Sequence, residues 1–234
     1  MNSPVILSLS KDETEQRLIR RLESFSDIII GFSLAQLALS LTIPKNGALG
    51  LLENPAPLIA FIITFTIVCG MWWAHHKLFV HYFVPIPIMV ILNFVTLAGV
   101  SFAVYSVQLM LHAGTSATPG HPAIAGHASL DFAFYEWSLA VVYSLLAVQY
   151  FYGWAVRRKV VPPTIADRGL RAALMLGGIG VVFGVVAVIT VRYGVRVSGL
   201  QYIGYLIVAY AVLLRLLFGY LEARRAPAAG QPVP

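Results

Sequence analysis

Charge is scarce in this chain. Asp, Glu, Lys and Arg make up 11% of its 234 residues, against about 25% in an average soluble domain. That deficit excludes an ordinary soluble globular protein. Cysteine is scarcer still: Cys69 stands alone, so no intrachain disulfide can form, and its apolar surroundings read as a small buried hydrophobe. No short apolar segment with a small-residue cleavage site precedes the first long stretch, so no cleaved signal peptide is expected. The formal charge of +6 could suggest a nucleic-acid partner. Its distribution argues otherwise, because the basic residues gather at the ends of apolar stretches.

What the chain has in abundance is hydrocarbon: 59% of its residues are hydrophobic and the mean hydropathy is +0.80. A helix needs roughly 20 apolar residues to cross a bilayer core. Six stretches qualify, at residues 24–43, 57–80, 86–112, 131–156, 170–191 and 200–222. The expected fold is an all-α integral membrane protein with six transmembrane helices. Residues 1–16 and 226–234 are read as flexible tails flanking a transmembrane domain over 17–225. Pro85 and Pro87 restart the chain before the third span, Pro162 and Pro163 before the fifth, and residues 113–130 read as a loop. Lys11, Arg17, Arg20, Arg21, Lys77, Arg157, Arg158, Lys159, Arg168, Arg171, Arg224 and Arg225 fall on one side if the spans alternate. Lys45, Arg192 and Arg196 fall on the other. The positive-inside rule then puts both termini in the cytoplasm of a multi-pass cell-membrane protein. Gly177, Gly178, Gly180 and Gly184 form a small-residue stripe suited to close helix packing.

Polar residues inside such spans are costly and invite a functional reading. Arg21, Phe25, Ser26 and Asp27 open the first span. Beyond them Phe32, Ala35, Gln36, Leu39 and Ile43 recur at three- and four-residue steps and share one face. That face suits either a packing seam or the lining of a pore with hydrophobic constrictions. At the end of the second span, Trp72, His75 and His76 cluster. Adjacent histidines point about 100° apart on a helix, so they make a poor chelating pair, and no metal is expected. His75 is instead expected to hydrogen-bond Asp27 or Ser26, and Asn93 in the third span to bridge helices. Arg21, Ser26, Asp27, His75 and Asn93 would then form one network at a common depth. Glu23 could concentrate cations or be an ordinary surface charge, and Glu136 is expected near a membrane boundary, in contact with solvent.

Arg21-x-x-x-Phe25-Ser26-Asp27, followed by Trp72-x-x-His75-His76 and by Leu92-Asn93, resembles the motif series of the transmembrane protein 175 family of potassium channels. The order and the six-span layout are similar to one repeat of that family. The resemblance implies a potassium-permeable leak channel without the usual Thr-Val-Gly-Tyr-Gly selectivity loop, which this chain indeed lacks. It further implies a homotetramer in membrane lipid, with Phe32, Ala35, Gln36 and Leu39 of four first helices around the pore. Arg21, Ser26, Asp27, Trp72, His75 and Asn93 would stabilise that helix from behind. Phe32 stands where the family usually has Ile or Leu, and Ala35 where it has a hydroxyl. No ATP-binding motif or nucleophile elbow is present, so transport is expected to be passive, with permeating K+ and no cofactor. Two other readings keep the composition. One is a non-conducting structural or assembly protein of the same fold. The other is a histidine-using metal transporter or membrane enzyme, disfavoured because usable paired carboxylates are missing.

Overall fold

The computed structural model describes residues 4–41, 46–53, 55–115, 122–160, 162–194 and, beyond these, 210, 213 and 216–218. The described residues fold into helices α1 (Pro4–Leu39), α2 (Ala48–Glu53), α3 (Ala56–His81), α4 (Pro87–Thr115), α5 (Pro122–Arg157) and α6 (Pro163–Tyr193). Five of these, all but the short α2, contain segments long and apolar enough to cross a membrane. Most of the expected sixth span, residues 200–222, lies outside the described residues, as does Ile43.

Proline sets most of the starts. A proline at the first helical position gives up an N–H that has no partner there and supplies a helical φ. Pro163 opens α6 in this way after the extended Pro162, and Pro55 and Pro57 flank the first residue of α3. Gly194, at a φ of 82° favourable to glycine, closes α6 by donating its N–H to the Thr190 carbonyl at 2.9 Å. Two boundaries differ from the sequence reading. Residues 4–16, expected as a loose tail, continue α1 backward, with Glu13 and Arg17 one turn apart and 3.8 Å from each other. The expected 113–130 loop is shorter, because α4 runs to Thr115 and α5 starts at Pro122.

Contacts fix the directions. Trp72 and His76 of α3 meet Asp27 and Glu23 of α1, so these helices run antiparallel. Ser26 with Asn93 and Ser33 with Ser101 advance together, so α1 and α4 run parallel. α5 and α6 form a tight antiparallel pair. The added Cβ of Gly177 would lie 3.5 Å from that of Ala147, that of Gly184 3.8 Å from Ala140, and that of Gly180 2.6 Å from Ser144 Oγ. The close approach expected of the glycine stripe is therefore present.

Tyr82, just past α3, is a wedge. Burial pushes its hydroxyl above the ordinary phenol range, with Arg168 pulling the other way. The retained proton is donated to the Ile165 carbonyl at 2.6 Å. Arg157 donates to the carbonyls of His81 and Phe83, at 3.2 and 2.7 Å, tying α5 to the same corner. Tyr82 and Tyr150 are both buried. Gly153 makes room for the wedge, since a Cβ there would run into the Tyr82 backbone. Gly153→Ala is expected to cost about 1–3 kcal/mol through overpacking, read as a lowered thermal unfolding midpoint in detergent. Gly177→Ala, whose new carbon meets only an ordinary van der Waals contact, is the control and should stay near wild type.

Candidate functional site

Helix α1 has two unlike faces. Leu22, Ser26, Ile30, Ser33 and Leu37 follow at three- and four-residue steps and are buried against the bundle. The opposite side carries Phe25, Ile28, Phe32, Ala35, Gln36 and Leu39, all exposed in the single chain. Phe32 is 73% and Leu39 87% accessible. Four of the residues proposed from spacing thus lie on the outward side, and the backbone carbonyl of Gln36 accepts a long 3.4 Å bond from Gln108 of α4.

The buried side is held by a polar network at one end of the bundle. Ser26 Oγ donates to the Leu22 carbonyl at 2.7 Å and accepts from Asn93 Nδ2 at 3.2 Å. Asn93 Oδ1 lies 2.7 Å from His75 Nε2. Because the amide nitrogen of Asn93 is committed to Ser26, its oxygen must accept, so His75 Nε2 carries the proton. His75 and Asn93 are fully enclosed, at 2% and 0% exposure. Asp27, on the exposed flank of α1, accepts a 2.8 Å bond from the Trp72 indole. Phe25 packs edge-on against Phe94 at 5.8 Å between centroids.

The expected single network is replaced by a Ser26–Asn93–His75 chain and a separate Asp27–Trp72 pair. His75 does not reach Asp27 or Ser26 directly: Trp72 takes Asp27, and Asn93 relays His75 to Ser26. Trp72 and His75 lie within about 60° of each other around α3 but nearly a turn apart along it, and Trp72 sits at the exposed flank beside Asp27 whereas His75 is enclosed. Arg21 lies exposed, away from these bonds.

One pair went unread. His76 Nδ1 sits 3.0 Å from Glu23 Oε1, and the imidazole stacks on Trp72 and Trp73 with centroids 6.0 and 5.9 Å away. The signal was there. Glu23 precedes Asp27 by four residues and Trp72 precedes His76 by four, so two antiparallel helices align two rungs at once. Glu23 is thus a tether to α3, partly withdrawn from solvent. Ser33 Oγ and Ser101 Oγ, 3.1 Å apart, add a further tie between α1 and α4.

Glu136 is corrected. Expected in solvent, it is 4% exposed and accepts a 2.7 Å bond from Thr190 Oγ1 across the α5–α6 seam. Among the described residues, no cluster of three or more His, Cys, Asp or Glu is placed to hold a metal.

The same stretch that builds this site matches a known family. Residues 21–103, from Arg21 through α3 to the middle of α4, match the sequence family described as the endosomal/lysosomal potassium channel TMEM175. No curated protein sequence matches the chain. Among solved structures, the fold is similar to the crystal structure of the potassium channel MtTMEM175, a threonine-to-alanine variant in complex with a nanobody–MBP fusion protein. The identity is 19%, the TM-score 0.60, and the alignment covers 88% of this chain and 94% of that one. The family match spans all the motif residues singled out from sequence: Arg21, Phe25, Ser26, Asp27, Trp72, His75 and Asn93. With several apolar helices long enough to span a bilayer, this chain is a multi-pass membrane protein.

Proposed function

We propose that this protein is a passive, potassium-permeable cation leak channel. It assembles as a homotetramer in the cell membrane, with the α1 helices of four subunits around a central conduit. Each subunit contributes Phe32, Ala35, Gln36, Leu39 and Ile43. Residues 200–222 complete a six-span domain over 17–225 with both termini in the cytoplasm.

The observation that carries this reading is the division of α1. One face is pinned by Ser26, Asn93 and His75, and the opposite face presents Phe32 and Leu39 outward, exposed among the described residues of the same chain. A rigidly held helix with bulky apolar residues at fixed depths suits a constriction that squeezes the hydration shell of a passing ion. Such transport turns over no substrate and needs no cofactor.

Purified protein in potassium-loaded liposomes is expected to release potassium down its gradient. A tetramer silent both as wild type and as Phe32→Ala would instead support the non-conducting scaffold reading. Ala35→Thr places a hydroxyl on the outward face and is expected to raise the potassium-to-sodium permeability ratio. An unchanged ratio would count against ion coordination at that level.

A further inference from the structure

A corner of the bundle near the Tyr82 wedge gathers cations that the network does not use. Arg158 and Lys159 follow the end of α5, Arg168 stands on the first turns of α6, and all three are exposed. Gly169, next to Arg168, packs against the Tyr82 ring and Gly153, near the end of α5, against the Tyr82 backbone, which brings the two helices' cations to one corner. Arg157 is already spent on two carbonyls and acts as scaffold. The acidic neighbour Asp167 is half-buried and has a partner of its own.

The surroundings of these cations are ordered. The Arg158 guanidinium lies 5.1 Å over the Trp154 ring, and that ring packs against Phe151 at 5.3 Å. Further along α5, Val148 and Val141 continue the exposed stripe. Charge, indole and hydrocarbon thus succeed one another along one helix face. Tryptophan favours the headgroup level of a bilayer, and arginine binds phosphate through a planar fork of donors.

We propose that this corner is a binding site for an anionic phospholipid. Its phosphate sits among Arg158, Lys159 and Arg168, and an acyl chain lies along Phe151, Val148 and Val141. A soluble acidic partner would satisfy the cations but would leave the apolar stripe uncovered, so a lipid is the occupant.

The test uses the whole protein reconstituted in phosphatidylcholine vesicles containing spin-labelled phosphatidylglycerol or spin-labelled phosphatidylcholine. The immobilised fraction of each label is measured. Wild type is expected to prefer phosphatidylglycerol. The Arg158→Gln/Lys159→Gln/Arg168→Gln variant should lose that preference, by up to about fivefold per cation at low salt. Arg192→Gln, an exposed cation at the other end of α6, should leave it unchanged, and inorganic phosphate should not displace the labelled lipid. The proposal is overturned by any of four results: equal retention of the two lipids, a preference that survives the triple variant, an equal loss in Arg192→Gln, or displacement by inorganic phosphate. Should the triple variant fail to reconstitute, Arg158→Gln alone decides the question in the same way.

Discussion

Replacing Phe32 by alanine is expected to raise potassium flux through the reconstituted protein by about an order of magnitude, equivalent to a barrier lower by ~1.4 kcal/mol. The phenyl ring projects from the side of α1 opposite Ser26, Ile30 and Ser33, and little of it touches its own chain. Its removal therefore leaves the packing of the subunit almost intact while widening the proposed conduit once in every copy. Ions would keep more of their hydration shell, and discrimination between potassium and sodium should fall together with the barrier. Flux assayed by a potassium-sensitive dye in loaded vesicles reads the first effect, and reversal potentials in mixed cations read the second. The thermal midpoint serves as control and should not move. A stable Phe32→Ala protein with unaltered flux would put the ring against lipid rather than an axis.

Asn93→Leu is expected to act in the opposite sense, costing about 1–2 kcal/mol of stability and uncoupling α1 from its support. Leucine matches the amide in bulk but neither accepts from His75 nor donates to Ser26. The His75 N–H would be left enclosed with no acceptor, whereas Ser26 would keep its bond to the Leu22 carbonyl. The unfolding midpoint in detergent should drop, and potassium flux through the reconstituted protein should fall with it. Asn93→Leu combined with His75→Leu removes both partners and should recover part of the lost stability, because the orphaned donor is gone. A single variant as stable as wild type would mean that the amide contributes nothing to holding α1.

Much of this was legible before any coordinates. Hydropathy and the prolines at 85, 87, 162 and 163 located the spans. Ser26, Asp27, Trp72, His75 and Asn93 stood out because a polar group within an apolar stretch must find a partner. What escaped depended on rotation about helix axes. Periodicity gives the depth of Glu136, but only the packing of α6 turns it toward Thr190 and away from water. Tyr82 and Tyr150 lie near the membrane boundary in sequence terms, yet each turns inward to a backbone carbonyl. The choice of Trp72 over His75 as the partner of Asp27 depends on which of the two the packing encloses. Glu23 with His76 was within reach, since the four-residue spacings on both helices already matched.

The zipped pair α5–α6 has a mechanical corollary. α1 leans on α3 and α4, while α5 hands polar contacts inward, among them Gln149 to Thr96 of α4 at 2.8 Å and Tyr150 to the Ala74 carbonyl of α3 at 2.6 Å. Thr96 is less than one turn from Asn93, and Ala74 is next to His75. Tension or a ligand acting on the α5–α6 hairpin would thus reach α1 as torque through α3 and α4, with the amide–imidazole joint as fulcrum.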